Sequence, residues 1–203
     1  MSVPTAMLDD MHAATEFVVI DVETSGFDPE CARVLSVAAL VVTANGAITG
    51  LMHTLLDPGV DPGPTNIHGL TAAMLAGQPD FADVADQLAA LLRGRTLVAH
   101  NAGFDYAFLA AEAHRCGTEL PVTSVLCTLE LAGQLNLGLD SLKLGALAQH
   151  WNIPQARPHD ALDDARVLAA ALPRMITRAA QLEVALPVRA PIALPPVQFR
   201  TAA

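Results

Sequence analysis

The stretch "EFVVIDVETSG", Glu16 to Gly26, decides the fold. "EFVVID" is a strand whose unbroken apolar run calls for burial on both faces, as in the middle of a layered α/β sheet. At its end the chemistry changes. Asp21 and Glu23 alternate by two, and period two places both carboxylates on one face of the sheet. Two carboxylates that close repel each other unless a cation sits between them, although a solvated pair at a strand end would also account for them.

Working outward, a turn at "TSGFDPE" leads into a second strand, Val34 to Thr43. "ANG" (Ala44 to Gly46) signals a tight hairpin into a third strand near Ala47 to Leu55. "DPGVDPGPTN" reads as loop, and "TAAMLAG" and "FADVADQLAALLRG" read as helices. "RTLVAH" is a short buried strand, and the helix "FDYAFLAAEAHRCG" closes at Gly117. "VTSVLCT" makes a fifth strand, with helical patterns at Leu129 to Leu135, Ser141 to Trp151 and Asp160 to about Leu182. Three strands in a meander followed by alternating helices and strands predict an α/β domain with a mixed sheet. Residues 14–184 are expected to form that domain. Four prolines among the last 18 residues predict that 185–203 form an extended tail.

Composition narrows the function. The 203 residues are 52% hydrophobic and 16% charged, a folded globular balance. No apolar run reaches a membrane span, no basic-then-apolar leader opens the chain, and Cys31, Cys116 and Cys127 fit neither a disulfide framework nor a zinc pattern. A cytoplasmic protein with no membrane partner is the expectation. Eleven basic residues against 21 acidic ones, a net charge of −10, exclude a broad basic face for coating duplex DNA. Any contact with nucleic acid must be local, with cations neutralising the negative charge there.

Two further clusters carry acidic residues. In "LVAHNAGFDYAFL", a strand ends at His100 and Asn101, and Asp105 falls near the start of the next helix, where the helix dipole alone favours an acid. His100 reads as an orienting group. In "RPHDALDDARVLAA", Asp160 occupies a helix N-cap position and Asp163 the acid position of a capping box. Asp164 is not needed for capping. It lies beside Ala161 and Leu168 at the edge of the apolar stripe and should face inward, with His159 leaning over it from the loop. On a continuous helix His159 and Asp164 would diverge by about 140°; a helix beginning upstream would make Asp163 the partner instead.

Together "DVETSG", "HNAGFD" and "HDALDDA", in this order and spacing, resemble the three motifs of the DnaQ-like DEDDh 3′→5′ exonucleases. The resemblance spans Phe17 to about Leu172. It implies an RNase H-like fold with a five-stranded mixed sheet of order 3-2-1-4-5. It further implies a metal tetrad of Asp21, Glu23, Asp105 and Asp164 holding two divalent cations, Mg²⁺ or Mn²⁺, with His159 as general base. Oxygen ligands suit these hard cations better than zinc, and a histidine can take a proton near neutral pH. "NIHGLTAAML" is similar to the family's loop before its first helices and brings His68 in as a substrate contact, beside Thr24, Asn101 and Phe104. Phe27, Phe104 and Tyr106 are candidates for base stacking, and equally for core packing.

The expected substrate is a single-stranded or frayed 3′ end, DNA favoured over RNA, released as nucleoside 5′-monophosphates in proofreading or repair. Exoribonuclease activity is the alternative, and a noncatalytic interaction module of the same fold is a third reading. The tail is a candidate tether to a DNA polymerase or sliding clamp, although "PPVQFRTAA" holds no convincing clamp-binding peptide.

Overall fold

A computed structural model describes residues 16–194. Strand β1 (Glu16–Thr24) runs through the middle of the sheet, antiparallel to β2 (Val34–Thr43) and parallel to β4 (Thr96–Ala99). β3 (Ile48–Leu55) adds antiparallel to β2, and β5 (Val125–Cys127) adds parallel to β4. The Ala44–Gly46 turn is a tight hairpin in which Gly46 takes φ +90°, a conformation that glycine adopts without steric cost.

The expected order 3-2-1-4-5 is present with one correction. A sixth strand, β6 (Val188–Arg189), pairs antiparallel with β5, giving β3-β2-β1-β4-β5-β6 among the described residues. Within the segment expected to be a Pro-rich extended tail, Arg189 is tied to Glu130 by an ion pair. Residues 195–203, and 14 and 15 at the expected domain start, lie outside the described residues.

Among the described residues, seven helices complete the layers: α1 (Thr65–His68), α2 (Ala72–Leu75), α3 (Phe81–Leu92), α4 (Ala102–Arg115), α5 (Thr128–Gln134), α6 (Leu144–His150) and α7 (Ala161–Gln181). α1 is a correction, since its residues had been read as loop. α6 starts three residues later than expected, because the Lys143 N–H bonds the Ser141 hydroxyl and holds a turn there. A short 3₁₀ turn, Pro191–Ala193, follows β6.

The apolar faces of β1 explain the layering. Val18, Ile20 and Val22 pack with Leu88, Leu92, Phe108 and Leu109 of α3 and α4. Phe17 and Val19 pack on the other face with Ala165, Leu168 and Leu172 of α7. Continuing that second face by period two reaches Asp21 and then Glu23. The strand therefore turns from apolar to acidic where α7 begins, and this places the site.

Candidate metal and nucleic-acid site

Four segments bring their side chains to one end of the sheet. β1 supplies Asp21 and Glu23, which pair in register with Ala38 and Ser36 of β2. A bulge between Glu23 and Thr24 breaks that register, as bulges next to active sites commonly do. The Thr24 hydroxyl then donates to the Gly26 carbonyl at 2.6 Å. Because β4 runs parallel to β1, its C-terminal end delivers His100 and the start of α4 to the same place. Asp105, in the first turn of α4, is 4% exposed. The sequence offers a helix-dipole explanation for an acid there, but an exposed position would satisfy the dipole equally well. Burial points to a second task.

The fourth segment is the loop into α7. Asp160 caps the helix, its carboxylate accepting from the Asp163 N–H at 3.0 Å. The reciprocal half of the capping box is replaced. Asp163 instead accepts from the Arg157 N–H at 2.7 Å, folding the loop back on the helix. Asp164 points inward and is 9% exposed, as the stripe argument requires. His159 lies outside the helix with φ +64°, and its backbone N–H donates to Asp164 Oδ2 at 3.1 Å. The left-handed residue removes the 140° obstacle and lets the exposed imidazole stand over the carboxylate. Ligand atoms of Glu23, His159 and Asp164 lie within 4.8 Å of one another.

These residues line a cleft of about 420 Å³ that includes Asp21, Glu23, Thr24, His68, Phe104, Asp105, His159 and Asp164. The ring of Phe104 rests on core residue Phe108 with centroids 4.8 Å apart. His68 Nδ1 accepts from the Leu70 N–H at 3.0 Å, which leaves the ring proton of the neutral form on Nε2. Asn101 is placed elsewhere. It is exposed at the N-cap of α4 in a left-handed conformation (φ 77°) and is not among the residues lining the cleft. Sequence reasoning passed over Pro64 and Ile67, which also line it, because neither residue type announces a site.

Crowding shapes the electrostatics. Burial raises the Asp21 carboxyl well above the ordinary range, and Asp105, Asp164 and Glu23 raise it further. Glu23 is pushed up to about 8 by burial and then by Asp164 and Asp105. Burial raises Asp105 to about 7, against the pull of backbone N–H groups including that of Val22. Asp164 is raised by burial and partly brought back by hydrogen bonds from Gln155 and the His159 backbone. Burial also pushes His100 down to about 4, so it stays neutral, with Nδ1 3.1 Å from the Thr128 hydroxyl. No Lys or Arg is among the residues that line the cleft. Four carboxylates with an adjacent imidazole and no cationic side chain match the oxygen-rich donor set of hard divalent cations.

This sheet order, with the acidic cleft at the ends of its central strands, defines an RNase H-like fold. The chain belongs to the exonuclease family, whose family model matches residues 18–172. It is 36% identical over 174 residues to a Mycobacterium tuberculosis protein named for bifunctional exonuclease/endonuclease activity, covering 81% of this chain and 27% of that one. It is 35% identical to the 3′-5′ exonuclease DinG of Bacillus subtilis, over 74% of this chain and 16% of DinG. It is 29% identical to the DNA polymerase III epsilon subunit of Treponema pallidum, over 84% of this chain and 81% of that subunit. The chain thus spans well under a third of the first two relatives and most of the third. Among solved structures, exonuclease X bound to 5′ overhanging duplex DNA superposes with a TM-score of 0.65 at 27% identity, covering 81% of this chain and 93% of that one. The family resemblance carried by the three motifs therefore holds.

Proposed function

We propose that the chain is a DEDDh-type 3′→5′ exonuclease that trims single-stranded or frayed DNA ends to nucleoside 5′-monophosphates, in proofreading or repair. One observation carries the reading: Asp21, Glu23, Asp105 and Asp164 converge with His159 in a single cleft lined by no Lys or Arg. A phosphodiester is anionic and would be repelled there, so divalent cations are required before substrate can enter. Asp21, Glu23, Asp105 and Asp164 would hold them, and two such cations, Mg²⁺ or Mn²⁺, supply Lewis-acid stabilisation of the attacking and leaving oxygens.

The chain's own residues do the rest. His159, exposed on its loop, takes a proton from the attacking water. The Asp164 carboxylate, bonded to the His159 backbone, fixes where that loop sits. Phe104 and His68 on the cleft wall position the terminal nucleotide, while Thr24 borders it from the strand end. A cleft lined by four acids and by no Lys or Arg offers little to an intact duplex backbone, which favours frayed or single-stranded termini.

DNA is preferred over RNA on the strength of the similarity to the DNA polymerase III epsilon subunit and to exonuclease X bound to DNA. The similarity to epsilon also supports a polymerase as partner. A time course on 5′-labelled DNA and RNA strands of one sequence, with Mg²⁺, Mn²⁺ or EDTA, tests all of this. The expected result is a metal-dependent ladder shortening from the 3′ end, faster on DNA, abolished in Asp164→Ala and kept in Asp163→Ala. Absence of a ladder from folded protein on either strand overturns the reading.

A further inference from the structure

The Asp164 carboxylate is gripped from one side by a loop that the three motifs only partly cover. Its Oδ2 accepts from the His159 backbone N–H at 3.1 Å. Its Oδ1 accepts from the side-chain amide of Gln155 at 2.7 Å. An ionised carboxylate only accepts, so the amide must present its NH₂ group to Asp164 and its oxygen the other way. That oxygen faces α6 at Gly145, where an added Cβ would lie 3.3 Å from Gln155 Oε1. Gly145 thus leaves the amide room to lie where it does.

The loop itself is pinned. The Ile153 N–H bonds the Ala148 carbonyl of α6 at 2.8 Å, and the Arg157 N–H bonds the Asp163 carboxylate at 2.7 Å. Asn152 and His159 both hold left-handed backbones, at φ 51° and 64°. Such residues are sparsely populated outside a context that over-determines them. Gln155 therefore sits on a fixed base between two anchors, and its amide is directed at one oxygen of one acid. With each oxygen of Asp164 holding one protein donor, the carboxylate cannot rotate freely. Its remaining lone pairs stay open to the cleft shared with Glu23 and His159.

We propose that Gln155 is a positioning residue for metal binding, aiming the Asp164 carboxylate through its amide. The inference rests on the reading of Asp164 as a metal ligand. Hydrogen-bond partners of ligating carboxylates and imidazoles typically contribute a factor of about 10–100 in metal affinity. Gln155 acts through Asp164 and is not among the residues that line the cleft.

The test is a Mn²⁺ titration of the whole chain followed by electron paramagnetic resonance, where binding removes the signal of free Mn²⁺. It compares the parent with Gln155→Met, Gln155→Ala and Asp164→Asn, alongside thermal melting of each in EDTA. Both Gln155 variants should bind Mn²⁺ roughly 10–100-fold more weakly while melting in EDTA as the parent does. Parent-like affinity in both variants overturns the proposal. So does a loss that merely tracks a lowered melting midpoint, since that is what a structural role alone would give. If the parent itself binds no Mn²⁺, or Asp164→Asn binds as well as the parent, the metal reading of the site falls and takes the proposal with it.

Discussion

Arg33 and Glu112, 79 positions apart, form a two-pronged ion pair: Nε to Oε1 at 2.8 Å and Nη2 to Oε2 at 3.0 Å. Glu112 is 2% exposed and also accepts from the Val34 N–H at 3.0 Å. It pushes the Arg33 guanidinium above its ordinary pKa. The pair fastens the start of β2 to α4, the helix that carries Asp105. Glu112 is buried while the Arg33 side chain is 27% exposed, so removing Glu112 strands a charge that solvent partly screens, at a cost of about 1–3 kcal/mol. Glu112→Ala should therefore lower stability by about that amount in urea unfolding, with Glu112→Gln losing less because its amide oxygen still accepts. An unfolding midpoint unchanged in both would show that the pair contributes no net stability.

The aspartates at the start of α7 separate by task. Asp160→Ala removes the N-cap acceptor and should cost about 1 kcal/mol with the cleavage rate retained at a temperature where the variant is folded. Asp164→Asn should leave the fold intact, or stabilise it, by removing a buried charge beside Glu23, while abolishing cleavage. The comparison is read by melting and by the 3′ ladder on the same preparations. Full activity in Asp164→Asn would contradict the assignment.

His159→Gln removes the only imidazole beside Asp164 and Glu23 within the metal-ligand cluster. A positioned general base is worth roughly a hundred- to ten-thousandfold in rate. The variant should lose about that much in kcat at saturating Mn²⁺, while Mn²⁺ affinity changes little. A fall in affinity as large as the fall in rate would make His159 a ligand first and a base second.

Acidity of the cleft sets a pH dependence with a definite sign. Glu23 and Asp105 are raised in the folded state from 4.5 and 3.8 to about 8 and about 7. Groups raised on folding contribute stability that is fully present below their ordinary values and is lost as pH rises through the folded ones. His100, lowered to about 4 from 6.5, contributes in the opposite direction, losing its stabilisation as pH falls below its ordinary value. Above about pH 6.5 the carboxylates dominate. The melting midpoint in EDTA should therefore fall between about pH 6.5 and 8.5, and the rise produced by Mn²⁺ should grow over the same interval as cation replaces proton. A midpoint that climbs with pH in EDTA would refute the crowding.

Gly63 sits at φ +75°, and an added Cβ would come within 2.1 Å of the Ser25 carbonyl oxygen, a backbone atom that cannot step aside. Ser25 directly follows Thr24 at the mouth of the cleft. Gly63→Ala should destabilise by about 1–3 kcal/mol and weaken substrate binding, raising KM more than it lowers kcat. Wild-type melting and kinetics in this variant would show that the turn relaxes without reaching Thr24.

The contrast between β1 and β6 shows what sequence can disclose. β1 was legible because Phe17 to Ile20 are apolar on both faces and that run then meets two acids, Asp21 and Glu23. β6 was not, because two residues, Val188 and Arg189, carry no periodicity and lie among prolines. Their pairing depends on β5 being next to them, a tertiary fact. The sorting of Asp160 from Asp164 followed from helical geometry alone. Where the Asp163 carboxylate goes did not, since the left-handed turn at His159 that brings Arg157 back to it has no glycine to mark it. Asn101 shows a related limit: its place between a strand and a helix is legible, but not that its side chain is exposed and its backbone takes the left-handed turn there. Gln155 lies nine residues before its partner on an irregular loop, beyond the reach of any repeat.

The cleft draws on residue 21 at one extreme and residue 164 at the other, with Asp105 between them. A ribosome making this chain has therefore built the whole sheet core from β1 to β5 before the last acid emerges, and the growing polypeptide carries no complete acidic cleft until then. The same spread makes any break between β1 and α7 a means of switching the centre off, because neither piece would hold more than part of the acidic set.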